Sequence, residues 1–143
     1  MATLYGSLSA GYGQTPVQLP EAAKGQQCPV KVLREVITLA SQATTDTIVI
    51  GKLPLGAVPL FGLLNTDTSL GTSTIAIGIT GSTGKYRAAA TFTATSTPTM
   101  FGVAAGMAIT TPLSTEETVF ITIATAALPS SGTLVVDIFY AMP

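Results

Sequence analysis

Apolar residues in this chain recur mostly at every second position, the period that a half-buried β-strand imposes because successive side chains leave opposite faces of the pleat. In TSTIAIGIT, residues 72–80, Ile75, Ile77 and Ile79 share one face, and Thr74, Ala76, Gly78 and Thr80 the other. ETVFITIAT, 117–125, sets Val119, Ile121 and Ile123 against Thr118, Phe120 and Thr122. TLVVDIFYA, 133–141, sets Leu134, Val136, Ile138 and Tyr140 against Val135, Asp137 and Phe139. KYRAAATFTAT, 85–95, puts Tyr86, Ala88, Ala90, Phe92 and Ala94 on one face, with Arg87, Ala89, Thr91 and Thr93 opposite. Shorter segments at 47–52 (TIVIGK), 57–66 (AVPLFGLLNT) and 99–110 (TMFGVAAGMAIT) also read as strands. Pro59 suggests an edge at the start of the second, and the glycines of the third a bulge or a close backbone approach. In VKVLREVITLA, 30–40, Val32, Leu33, Val36, Ile37 and Ala40 also fit a helical stripe, but the β-branched content favours a strand.

Gly, Pro, Ser and Asp separate these segments, as between ALPSSG and its flanks, where Pro129 fixes φ and Gly132 is free to take a positive value. Eight strands predict an all-β fold, an eight-stranded antiparallel jelly-roll-like sandwich in two sheets, with an immunoglobulin-like sandwich as the competing topology. This β-sandwich domain is expected over 28–143. Residues 1–27, MATLYGSLSAGYGQTPVQLPEAAKGQQ, have no sustained period and read as an extended N-terminal arm, able to reach roughly 90 Å at about 3.3 Å per residue. Tyr5, Tyr12, Gln14, Val17 and Leu19 are its candidate docking residues.

Charge narrows the partners. Six Lys and Arg against seven Asp and Glu leave a net charge of −1, and charged residues make up 9% of the chain against a usual figure of about 25%. The cations are scattered, so neither nucleic acid nor an anionic membrane has a basic patch to bind. Mean hydropathy is +0.55, yet Thr, Ser, Gly and Pro interrupt every stretch long enough to span a bilayer, and the N-terminus does not read as a secretory signal. An outer-membrane β-barrel is disfavoured by the same N-terminus and by sparse aromatic girdles. A nearly neutral surface built from hydroxyls and apolar groups resists association poorly, which suits life inside an assembly.

The stretch GITGSTGKYRAAATFTAT, 78–95, resembles a phosphate loop at first sight. Against G-x-x-x-x-G-K-[ST], however, Ile79 stands at the first glycine and Tyr86 at the final hydroxyl, and strand periodicity follows where a helix is needed. GSTGK is therefore expected to be a hairpin loop, with positive φ at Gly81 and Gly84. The absence of histidine removes His-based triads and metal sites, and the single Cys28 removes thiolate clusters and any intrachain disulfide. Glu116 and Glu117 point to opposite faces and read as solvated loop charges; Asp67 reads as a turn residue; Asp137 is expected on a solvated face or paired with Arg34 or Arg87. No catalytic constellation, cofactor or metal site is expected, and sugar binding lacks the usual exposed Trp or clustered Tyr.

The segments GKLPLGAVPL, NTDTSLGTSTIAIG, GKYRAAATFT and TPTMFG, within residues 46–102, resemble a recurring pattern in virion proteins of tailed bacteriophages, the jelly-roll head decoration or cement proteins. The resemblance implies a homotrimer, made in the host cytoplasm, that sits on the outer capsid surface, contacts the major capsid protein and ties neighbouring capsomers together. Lys85 and Arg87 then become candidate contacts to a subunit or the shell. A base or a receptor- or carbohydrate-binding module of a head or tail fibre is the alternative.

Overall fold

A computed structural model describes residues 29–102, 107 and 111–142. Their elements are all strands: β1 (Val30–Thr38), β2 (Thr47–Leu53), β3 (Val58–Thr66), β4 (Thr74–Ile79), β5 (Ser82–Thr91), β6 (Thr99–Phe101), β7 (Glu117–Ala124) and β8 (Thr133–Ala141). They form two four-stranded antiparallel sheets, β1-β8-β3-β6 and β2-β7-β4-β5. Strand 1 pairs with 8, 2 with 7, 3 with 6 and 4 with 5, so the chain runs as one long double ribbon folded over itself. That is jelly-roll order, and it decides against the immunoglobulin-like alternative, in which β1 and β2 would lie in one sheet.

The core lies between the sheets and follows the period-two pattern. Leu134, Val136 and Ile138 of β8 face Val119, Ile121 and Ile123 of β7, all at most 1% exposed. Ile75 and Ile77 of β4, Leu64 of β3 and Tyr86 of β5 complete it. Gly62 is required by a close approach: an added Cβ would lie 2.1 Å from the Phe101 ring, which crosses β3 to reach the core.

Three expectations change. The β4–β5 turn is tighter than expected, with Ile79 paired to Ser82. Gly81 takes φ +82° but Gly84 lies inside β5 without a positive φ. Second, β5 does not keep one face. Ile75 pairs with Ala90, Ile77 with Arg87 and Ile79 with Ser82, so β5 carries extra residues in both intervals and bulges relative to β4. Tyr86 and Phe92 are buried, while Ala88 and Ala90 are exposed. Third, β6 is only Thr99–Phe101, because its pairing to β3 covers Gly62–Leu64 alone; most of 103–110 lies outside the described residues.

The expected arm, 1–27, also lies outside the described residues, and with it Tyr5, Tyr12, Gln14, Val17 and Leu19.

Candidate interaction surface

Alternation in a sandwich leaves one face of each sheet outside, and the two outer faces differ. On the β2-β7-β4-β5 sheet the molecule covers part of its own outer face. The start of β5 curls over β4, so that a Cβ on Gly78 would meet the Ser82 carbonyl oxygen at 2.2 Å, and Ala76 and Gly78 are buried although they point away from the core. On the β1-β8-β3-β6 sheet, nothing among the described residues performs that service. Val32 and Val36 of β1 are 46% and 55% exposed, and Met100 of β6 is 69% exposed. Between them, Phe61 of β3 stacks on Phe139 of β8, centroids 4.6 Å apart and planes 15° from parallel, with Leu63 and Val135 alongside.

One ion pair sits in this apolar face. Arg34 and Asp137 are direct cross-strand partners, and Arg34 Nη1 donates to Asp137 Oδ2 at 3.3 Å. The guanidinium side chain is 61% exposed and the carboxylate side chain 14%. Asp137 Oδ1, and Asn65 Oδ1 one strand over, are buried acceptors without a hydrogen-bond partner. Of the two partners anticipated for Asp137, Arg34 is the one it finds.

Lys85, Tyr86 and Glu117 meet at the rim of the sandwich. Glu117 shares the parity of Val119, Ile121 and Ile123, so it points inward instead of lying in a solvated loop. The Lys85 ammonium and the Tyr86 hydroxyl both donate to its carboxylate. Burial first, then the bond and charge of Glu117, push the Tyr86 phenol far above its usual range. The neighbouring Glu116 pairs outward with Lys52 at 2.7 Å. A tyrosine placed in an apolar stripe needs a partner for its hydroxyl, and that requirement was the signal pointing to an inward carboxylate.

Arg87 serves the β5 bulge. Its guanidinium donates to the carbonyls of Ile75, Ala90 at 3.1 Å and Thr91 at 3.2 Å, beside the register shift; burial lowers its pKa. Lys85 and Arg87 thus lie near one another, with their first partners inside the chain.

An open cleft of about 290 Å³ lies beside the apolar face, lined by Asn65, Thr66, Asp67, Ser96, Thr133 and other residues. Its polar groups close the loops: Asp67 Oδ1 accepts from the Thr133 amide at 2.7 Å and the Thr68 hydroxyl at 3.0 Å, which hold the carboxyl below its ordinary range. The turn role expected of Asp67 is the observed one. Among the described residues no group of three or more His, Cys, Asp or Glu comes together to hold a metal.

No protein-family model matches this chain, and no curated protein matches it significantly in sequence. Solved structures do share its fold. A chain in the "Cyanophage Pam1 capsid asymmetric unit" superposes with a TM-score of 0.66 at 23% identity, covering 91% of this chain and 96% of that one. A chain in the "Capsid of Ralstonia phage GP4" gives 0.63 at 23% identity over 80% and 85%. One in the "Acidic stable capsid structure of Helicobacter pylori bacteriophage KHP30" gives 0.59 at 11% identity over 80% and 88%. The eight-stranded jelly roll is thus a fold found in bacteriophage capsid structures.

Proposed function

We propose that this chain is a structural virion protein that decorates and stabilises a bacteriophage capsid. The observation that carries the reading is the match to a chain of a phage capsid over nearly the full length of both. A bare apolar sheet face and a sparse, nearly neutral charge set support it, since both suit a molecule held among neighbours rather than one dispersed in solvent. In this reading the protein is a homotrimer on the outer surface of the shell, bridging neighbouring capsomers through the major capsid protein. Residues 1–27 form the attaching arm, with Tyr5, Tyr12, Gln14, Val17 and Leu19 as its contacts; Lys85 and Arg87 reach a partner only through the donors their internal bonds leave over.

Electron microscopy of shells incubated with the purified protein tests the reading. Regular density at symmetry-related sites is expected. Protein that remains in the supernatant and leaves the shell bare overturns it, and retention on glycan arrays would transfer the chain to fibre-type receptor binding.

A further inference from the structure

The outer face of the β1-β8-β3-β6 sheet is the largest apolar surface among the described residues that has nothing packed on it. Of the exposed large hydrophobic residues among those described, Val30, Val32, Val36 and Met100 all belong to this sheet's strands, and Val49 and Leu55 lie elsewhere. Among the described residues, the surface that matches it in size and polarity is the same face of another copy. The charges agree. Asp137 Oδ2 accepts from Arg34 within the copy, while Arg34 uses one of its five N–H donors for that bond and projects into solvent, so the face carries one cation and one anion side by side. When two such faces meet about a two-fold axis, each exposed Arg34 guanidinium faces the other copy's partly exposed Asp137 carboxylate and can exchange its partner across the contact, which then satisfies itself twice.

We infer that this face pairs isologously with the same face of a second copy, closing two reciprocal Arg34–Asp137 bonds inside a layer of Val32, Val36, Phe61, Phe139 and Met100. Three strands of 9 residues and β6 of 3, about 4.8 Å apart and at about 3.3 Å per residue, make a face of roughly 500 Å². Two of them bury roughly 1,000 Å², the lower bound for a specific interface. Pairing is accordingly weak for isolated molecules and gains strength where copies are already held side by side. Resting on the virion reading for its setting, the contact joins copies in adjacent trimers and so turns separate trimers into a net.

The test uses the full chain in solution and no capsid, so it can fail while the virion reading stands. Light scattering of the native protein is expected to show mass growing with concentration beyond the unit present at high dilution. Arg34→Glu and Asp137→Arg each set like charges against one another across the two-fold axis, and each alone should weaken that growth about tenfold or more. Mixed together, they restore two opposite-charge pairs between copies while the pair within each copy stays broken. Recovery of association on mixing, read by energy transfer between labelled variants, is therefore expected only if the bonds run between copies. Val36→Lys guards against misfolding at Asp137: the site is already solvated, so the fold should survive and pairing be lost, whereas Val49→Lys on the other sheet should leave pairing intact. No growth of native mass with concentration, no recovery on mixing, or unchanged association of Val36→Lys would overturn the inference and leave the face to the shell or to residues 1–28.

Discussion

Tyr86 shows how much a single hydroxyl contributes once its ring is in the core. The side chain is fully buried and its hydroxyl donates to Glu117. Because its folded-state pKa is raised, the folded protein holds that proton more tightly than the unfolded chain, whose phenols titrate near about 10. The resulting stability is fully present below about pH 10 and is lost as the pH rises beyond it. Tyr86→Phe keeps the ring and removes the donor, leaving Glu117 to Lys85; it should cost about 1–2 kcal/mol at neutral pH and flatten the alkaline limb of stability. Urea titrations at pH 7 and above pH 10 measure both, and an alkaline slope equal to that of the parent would assign the titration to another group. Thr125 carries the opposite kind of effect. It is β-branched at φ 69°, in a three-residue turn closed by the Ala126 amide on the Ala124 carbonyl at 2.8 Å. A left-handed conformation costs an L-residue roughly 1–2 kcal/mol, and glycine gives back about 0.5–1 in unfolded-chain entropy. Thr125→Gly should therefore stabilise the fold by about 0.5–1 kcal/mol net, a rise of a few degrees in thermal midpoint; a fall would show that the turn is held by the Thr125–Thr74 hydroxyl contact instead.

Strands β4, β7 and β8 were legible in the sequence because one face of each packs on the core and alternation between β-branched and polar residues records it. Strand β5 was legible only as a strand. Its slip occurs within Arg87-Ala88-Ala89-Ala90, where alanines give no polar contrast, so one extra residue leaves no mark in the pattern while all three alanines stand exposed. Arg87 thereby reads as a surface cation, whereas its donors go to carbonyls beside that slip. Glu117 was readable by parity and was hidden by its neighbour Glu116. The apolar outer face needed more than local pattern, since Arg34 and Asp137 lie 103 positions apart and only the strand order brings them together. The role of Arg87 in β5 can be measured. Arg87→Met keeps the length and strips the donors, leaving the part-buried Ile75 carbonyl without this donor at about 1–3 kcal/mol, while water can replace it at the exposed Ala90 and Thr91 carbonyls. A loss of about 1–2 kcal/mol is expected. Arg87→Lys should recover less than half, because an ammonium lacks the planar fork that serves several acceptors. Amide exchange should quicken in β4 and β5 and stay unchanged in β1 and β8. Equal stability of the Met and parent proteins would reduce Arg87 to a surface residue.

The described strands bury a continuous core between the two sheets, drawn from Ile37 through Ile138. We propose that folding of this sandwich does not call on residues 1–27 and that they serve attachment to another molecule. Their composition fits attachment: two tyrosines, Val17 and Leu19 are spaced by Gly, Ser, Gln and Pro, which favour an extended path and a backbone open to hydrogen bonding with a sheet edge. Strand β1, which follows directly, is itself an edge of its sheet. Deleting residues 1–27 should leave the unfolding midpoint within a few degrees of the parent and the circular dichroism of a β-sandwich intact, while binding to shells falls by orders of magnitude, because attachment of each copy multiplies across a symmetric particle. The two readouts separate the alternatives. Loss of the fold would make 1–27 part of the domain, whereas normal decoration by the truncated protein would move the attachment onto the sandwich itself, where the bare face of β1-β8-β3-β6 is the surface left to provide it.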